Sequence, residues 1–209
     1  MRNLIGGILG VGLLLLANMG VAAEITPAAQ RVFVSIDAMN VEQRWPAGEH
    51  VLWENGVPDG KPEHGNGKHT HCSAFVAAAA KNLGIYILRP PEHSQVLLAN
   101  AQYDWLASEG AAKGWQPVRD AIEAQARANR GDFVVAAYRN HHDDKPGHIA
   151  IVRPSDKSAA AIRAEGPEIT QAGGTNYRDT NLQRGFAGHP SAWGNHEVRF
   201  YAHVIQPGK

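Results

Sequence analysis

The stretch HTHCSAFVAAAA, residues 69–80, contains the single cysteine of the chain at the point where an alanine-rich helix is predicted to begin. Alanine is the strongest helix former, and Gly84, shortly after the run, is typical of a helix C-terminus. A thiol at a helix N-terminus lies near unpaired backbone N–H groups and the positive end of the helix dipole, which favour the thiolate. We therefore predict that Cys72 is a nucleophile with a lowered pKa, on a buried helix of small side chains.

The chain begins with a pattern that is typical of an export signal. Met1-Arg2-Asn3 carries one positive charge, residues 4–16 are apolar apart from glycines, and Val21-Ala22-Ala23 provides small residues for cleavage. We predict a signal peptide over residues 1–23 and a single domain over residues 24–209 in the periplasm or secreted medium. No later apolar segment reaches the about 20 residues of a membrane span, so no membrane partner is expected after cleavage.

Charge and cysteine content narrow the function classes. Lys and Arg together number 20 and Asp and Glu number 20, a formal net charge of zero, so no nucleic-acid partner is expected. A lone cysteine cannot form an internal disulfide in an exported protein. It is therefore a reactive thiol, half of an intermolecular bridge, or a small buried hydrophobic residue.

The first part of the mature chain has the apolar spacing of helices. Thr26-Pro27 is typical of a helix start, because the hydroxyl can cap the helix and proline fits its first position. Further helices are predicted from Cys72 to Asn82, from Pro90-Pro91 through Leu106, and from Pro117 to the residue before Gly131. The Gly- and Pro-rich residues 45–68 are predicted to be loop, with a short strand at residues 50–53.

The later part of the chain has the composition of strands. Residues 132–138 and 148–152 flank a polar segment, as in a hairpin, and further strands are predicted over residues 159–164, 168–172 and 197–205. Helices followed by strands are typical of an α+β domain with a mainly antiparallel sheet.

Two polar residues on these strands are candidates for a site with Cys72. His148 directly follows Gly147 at a strand start, where its side chain can project toward a cleft and act as a base; a histidine that only titrates in solvent is the alternative. Strand alternation places Gln171 on the same face as Ile169, from which its amide oxygen can orient the His148 ring. Pairing of Gln171 with backbone at a sheet edge is the alternative.

Three segments of the chain resemble the NlpC-like and CHAP-like papain-fold cell-wall hydrolases: Cys72-Ser73-Ala74-Phe75-Val76, Gly131-Asp132-Phe133-Val134-Val135 and Gly147-His148-Ile149-Ala150-Ile151-Val152. The resemblance spans residues 53–205 and includes the order of cysteine, histidine and a polar residue on the next strand. These families commonly have aspartate before the cysteine, where this chain has His71. Their third residue is often His, Asn or Glu, where this chain has Gln171.

The resemblance implies a papain-like α+β fold in which the nucleophile helix packs on a mainly antiparallel sheet. It implies Cys72 as nucleophile, His148 as general base and then acid, and Gln171 as third residue. The implied reaction is acyl transfer on peptide or amide bonds of peptidoglycan or its stem peptides, which needs no cofactor and no metal. The sequence leaves open whether a protein inhibitor is a further partner.

Two other functions are open at this point. One is a catalytically silent papain-like domain that binds cell-wall fragments or a partner protein. The other is a zinc-binding exported protein, since His64, His69, His71 and Cys72 are acceptable ligands, although structural zinc sites use more regularly spaced pairs. The histidines and aspartates of residues 141–144 fall in the predicted hairpin loop and are expected to be solvated.

Overall fold

The computed structural model of the protein describes residues 24–62 and 69–206. The helices are α1 (Pro27–Asp37), α2 (Cys72–Asn82), α3 (Leu98–Ser108), α4 (Ala121–Arg130), α5 (Ala159–Glu165), α6 (Leu182–Gly185) and α7 (Pro190–Gly194), with a 3-10 turn at Gly110–Lys113. The strands are β1 (Trp115–Val118), β2 (Phe133–Tyr138), β3 (His148–Val152), β4 (Glu168–Ala172), β5 (Asn176–Asn181) and β6 (Arg199–His203).

The six strands form one antiparallel sheet in the order β1-β6-β2-β3-β4-β5. The predicted α+β class and antiparallel sheet are therefore confirmed. The predicted signal peptide, residues 1–23, lies outside the described residues. Within the described ranges, no helix has the length and apolar character needed to cross a membrane.

Helices cover both faces of the sheet, which explains why β2 and β3 are buried at every position. Ile149 and Ile151 of β3 point into a core that includes α1, α2 and α3. Ala150 and Val152 point the other way, into a second core formed with α4, α6 and α7. The direction of a β3 side chain thus decides which layer of helices it meets.

Helix α2 occupies the centre of the first core. Every residue from Cys72 to Ala80 is buried, and the helix packs against β3, β4 and α3. Its alanines let the helix backbone approach the sheet closely, while Phe75 fills the remaining space edge-to-face with Trp45 at 5.2 Å between ring centroids. The predicted burial of this helix is confirmed.

Two predicted helix starts are wrong. The helix expected from Pro90-Pro91 begins at Leu98, because Leu97 adopts a left-handed φ of 55° that interrupts any helix before it. Pro117 lies in the edge strand β1, where a missing N–H is tolerated. The following helix begins at Ala121, after Asp120 accepts a hydrogen bond from the Glu123 N–H.

The strand predictions were also only partly right. Residues 159–164 are helical, because Ser158 accepts a hydrogen bond from the Ala161 N–H and the alanines favour a helix. The strand expected at residues 50–53 is reduced to a single bridge between Val51 and Pro58. Strands β2, β3 and β4 occur where they were predicted, and these three carry the candidate site.

A buried arginine joins α1 to three strands. Arg153, just after β3 and 1% exposed, donates from Nη1 to Asp37 Oδ1 at 2.9 Å, to Thr170 Oγ1 at 2.7 Å and to the Arg178 carbonyl at 2.6 Å. Burial alone would raise the pKa of Asp37, but the hydrogen bonds from Arg178 and Arg153 outweigh it and lower that pKa.

Replacement of this arginine is expected to be costly. We expect Arg153→Met to lower the free energy of unfolding by about 3 kcal/mol in urea denaturation at pH 7, because it leaves Asp37 without its buried partner. Since the pKa of Asp37 is lowered in the folded state, its contribution is complete above the unfolded pKa and lost as pH falls through the folded pKa. The difference from wild type should therefore shrink below about pH 4. Arg130→Met, at an exposed position, serves as the control, and equal losses in the two variants would contradict the expectation.

Candidate functional site

Cys72 is the first residue of α2 and is 3% exposed. Its thiol is hydrogen-bonded to the backbone N–H groups of Ile149 and Ser73 and to the Thr70 side chain, but burial outweighs these contacts and raises the pKa of the thiol above its ordinary value. The predicted lowering of this pKa is therefore wrong. A helix start stabilises a thiolate, yet here the packing of α2 against the sheet removes the sulfur from water.

His148 is the first residue of β3, and its ring is held by Gln171. The two atoms His148 Nε2 and Gln171 Oε1 lie 2.7 Å apart. Gln171 Nε2 donates to the Thr175 carbonyl at 3.1 Å, and because a carbonyl only accepts, this contact fixes the amide with its oxygen toward the ring. His148 Nε2 must then carry the proton, which leaves Nδ1 as the basic nitrogen.

The electrostatics of the pair favour neutral groups. Burial lowers the pKa of His148, and the hydrogen bond that its Nε2–H donates to Gln171 only partly offsets this effect. Since burial raises the pKa of the Cys72 thiol and lowers that of the His148 imidazole, both groups are neutral at pH 7. Such a pair forms its ion pair during a reaction rather than before it.

His148 and Gln171 meet at one end of the sheet, whereas no hydrogen bond joins the Cys72 thiol to either side chain in the described part of the chain. Cys72 belongs to the first core, whereas His148 shares the direction of Ala150, toward the second core. Strand β3 pairs with β4 at Ile151 and Val152, and the Ile149 N–H, before this ladder, contacts the thiol. The thiol thus contacts the backbone of the residue directly after His148. The His148 ring itself lies against Phe186 and His189, and Gln171 holds it from β4. The predicted hydrogen bond is present; the catalytic roles stay a prediction.

Two aromatic residues that the sequence did not identify pack on the His148 ring. Phe186 meets it edge-to-face with centroids 4.6 Å apart, and His189 stacks on it at 6.0 Å. They lie at the end of α6 and at the start of α7. Asn181, which caps α6 by accepting from the Arg184 N–H, and Pro190, in the first turn of α7, were the sequence signals that could have revealed these short helices.

A groove of about 250 Å³ lies beside Cys72. One part of its lining comes from residues on both sides of Cys72, namely Thr70, His71 and Ser73. The other part comes from two loops and includes His50 and His93. The His71 ring bonds through Nε2 to the Glu49 carbonyl at 2.9 Å, so this histidine, which stands where the similar families have aspartate, braces the wall. The groove therefore borders the start of α2 on both sides of Cys72, while Cys72 itself does not line it.

The alternative metal site gains no geometric support from the described ranges. Within residues 24–62 and 69–206, no three His, Cys, Asp or Glu side chains are grouped to hold a metal ion. The candidate ligand His64 lies outside those ranges. Residues 141–144 are exposed, as predicted for the hairpin loop.

Comparison of the chain with protein-family models gave no match, and a search of curated proteins found no similar sequence.

The stacking of His189 on His148 leads to a titration that can be measured. Burial and the charge of His148 lower the pKa of His189 to about 4. We expect His148→Gln to raise the pKa of His189, because the variant removes the charge while leaving the burial in place. Ring proton NMR across pH measures the shift, with the exposed His142 as internal control. An unchanged His189 titration in the variant would show that the two rings are not electrostatically coupled.

Proposed function

We propose that the protein is an exported, papain-like cysteine hydrolase that cleaves peptide or amide bonds in peptidoglycan. The observation that carries the proposal is the buried hydrogen bond between His148 and Gln171, which holds the imidazole in one tautomer at the strand position before Ile149, whose backbone N–H contacts the Cys72 thiol. A cysteine nucleophile needs a base within reach and a third group that holds the base in the correct tautomer. In this proposal Cys72 is the nucleophile, His148 the base and Gln171 the third group, and the reaction requires His148 Nδ1 to come within hydrogen-bonding distance of Cys72 Sγ when substrate binds.

Because the thiol and the imidazole both start neutral, the proposed reaction begins with a proton transfer between them. As Cys72 Sγ attacks the carbonyl carbon, His148 Nδ1 takes the thiol proton, and Gln171 Oε1 stabilises the imidazolium by accepting from Nε2–H. The oxyanion forms next to the Cys72 backbone N–H at the start of α2. Imidazolium then protonates the leaving amine as the C–N bond breaks, which leaves a thioester. His148 next takes a proton from water, the hydroxide attacks the thioester, and the proton returns to the sulfur as the acid leaves.

Two features of the sequence support peptidoglycan as the substrate. The residues around Cys72 and His148 resemble those of cell-wall hydrolases, and the leader pattern at residues 1–23 is that of an exported protein. The groove beside Cys72 is lined by imidazole and hydroxyl groups, which can hydrogen-bond to the amides and carboxylates of a stem peptide.

A silent binding domain is the second candidate, and the burial of the thiol favours it. A cysteine residue that is 3% exposed and has a raised thiol pKa is also what packing alone would produce. Such a domain would keep the groove and bind cell-wall fragments without breaking bonds.

Digestion of purified peptidoglycan by the mature protein separates the two candidates. The products are resolved by mass spectrometry, with binding to the insoluble wall measured in parallel by sedimentation. New amino and carboxyl termini in the muropeptides are the result expected of the hydrolase. Binding without any new terminus would replace it by the silent domain, and neither binding nor cleavage would reject peptidoglycan as the ligand.

A further inference from the structure

A second cavity, of about 450 Å³, lies at the same end of the sheet as His148 but on the far side of α7. Its walls are the end of β1, the first turn of α4, and parts of α5, α7 and β6. His189, just before α7, stacks on His148, whereas Trp193 of the same helix lines the cavity. Helix α7 therefore separates this cavity from the candidate catalytic site, and its volume is in the range of small-ligand sites.

The cavity has an excess of positive charge. Arg119, Arg163 and Arg199 all line it. Arg119 is paired with Asp120 at 3.0 Å and approaches Glu123 at 3.9 Å. Among the described residues, Arg163 and Arg199 form no ion pair with a carboxylate. Two guanidinium groups beside one cavity are suited to bind a carboxylate or phosphate in a bidentate manner.

The remaining walls suit a ring that carries hydroxyl groups. The indole of Trp193 is held in place by a hydrogen bond from Nε1 to the Ala164 carbonyl at 3.3 Å. The apolar part of the lining is completed by Val118, Ile122, Val198 and Phe200. Asp120 and His196 also border the cavity and provide polar atoms for hydroxyl groups. A flat aromatic face next to polar groups is a common platform for an amphipathic ring.

We propose that this cavity binds an anionic sugar unit, with the ring on Trp193 and its carboxylate or phosphate between Arg163 and Arg199. The site is separate from Cys72 and does not depend on catalysis. A carboxylate-bearing sugar and a phosphate-bearing sugar offer the same chemistry to the two arginines. The experiment therefore compares one of each.

Isothermal titration calorimetry of the mature protein tests the proposal with three probes. N-acetylmuramic acid carries a carboxylate, N-acetylglucosamine 6-phosphate carries a phosphate, and N-acetylglucosamine is neutral. We expect saturable binding of at least one anionic sugar, at least about tenfold tighter than the neutral sugar, and weakened by added salt. The tighter of the two anions shows which anionic group the cavity prefers.

Variants locate the binding. The double variant Arg163→Ala/Arg199→Ala should lose at least about tenfold in affinity, and both side chains are exposed, so the fold should persist. Arg130→Ala, which removes one exposed arginine from the opposite end of α4, should bind as wild type does. Cys72→Ala should also bind normally, even if no hydrolysis is ever found. Absence of saturable binding by both anions, or an unchanged affinity in the double variant, would overturn the proposal.

Discussion

Replacing Cys72 with alanine is expected to abolish the release of new muropeptide termini, with kcat/KM lower by at least about 10⁴-fold. The chain has a single cysteine, so no second thiol can replace the lost nucleophile. His148 and Gln171 remain in place in the variant, but without Sγ the base has no proton to accept. The measurement is the initial rate of terminus formation from purified peptidoglycan, followed by mass spectrometry.

The control for this variant is its fold. Position 72 begins an alanine-rich helix that is buried as far as Ala80, so alanine is compatible with the backbone, and we expect a loss of about 1 kcal/mol from the missing sulfur contacts. Thermal unfolding should therefore remain cooperative. Cys72→Ser keeps a hydroxyl at the position and should be nearly as inactive, because a buried alcohol is a weaker nucleophile than a thiol. Wild-type activity in a folded Cys72→Ala protein would refute the proposed mechanism.

The parts of the fold that follow from local chemistry could be predicted from the sequence. Thr26 caps α1 because its hydroxyl is one residue ahead of a proline, and it accepts from the Ala29 N–H as expected. Strands β2 and β3 can be recognised in the sequence as runs of consecutive apolar residues. Such runs are required because helices cover both faces of these strands. In β4, the alternation that placed Gln171 beside Ile169 is correct, and this parity is what brings the amide to His148.

The errors arise where tertiary packing overrides a local signal. Pro117 is as suitable for the first turn of a helix as for an edge strand, and only its pairing with Tyr201 of β6 decides between them. At residues 159–164 the apolar side chains suggested a strand, although Ser158 was available as a helix cap. For Pro117 the deciding partner is distant in sequence. For residues 159–164 the adjacent helix cap outweighs the apolar composition.

The protonation of the site is the least predictable feature from sequence. The position of Cys72 at a helix start argues for a thiolate, and the contacts from Ile149 and Ser73 act in that direction. The opposing effect, burial, depends on α2 lying against β3. Burial also lowers the pKa of His148, whose ring packs against Phe186 and His189. A mechanism written from the sequence would begin with an ion pair, whereas the structure favours one that begins with two neutral groups.

Because His148 is neutral before the reaction, Gln171 does more than hold the imidazole ring in position. If His148 is uncharged before the reaction, its two tautomers compete, and only the one with the proton on Nε2 leaves Nδ1 able to accept from the thiol. The hydrogen bond to Gln171 Oε1 selects that tautomer and then stabilises the imidazolium. Gly185 makes room for the arrangement, since a side chain there would come within 2.7 Å of the same oxygen.

We expect Gln171→Ala to lower kcat by about 10²-fold or more with little change in KM, because the variant leaves the buried Nε2–H unpaired and the tautomer unselected. Gln171→Glu keeps an acceptor for Nε2–H and should recover part of the lost rate, and its negative charge should raise the pKa of His148 and move the acid limb of the kcat profile upward. A residue that only supports the fold would not shift that limb. Gln116→Ala, at an exposed position of β1, should retain wild-type kcat. If Gln171→Ala and Gln116→Ala are equally active, His148 is oriented by its packing against Phe186 and His189 alone, and Gln171 has no part in the reaction.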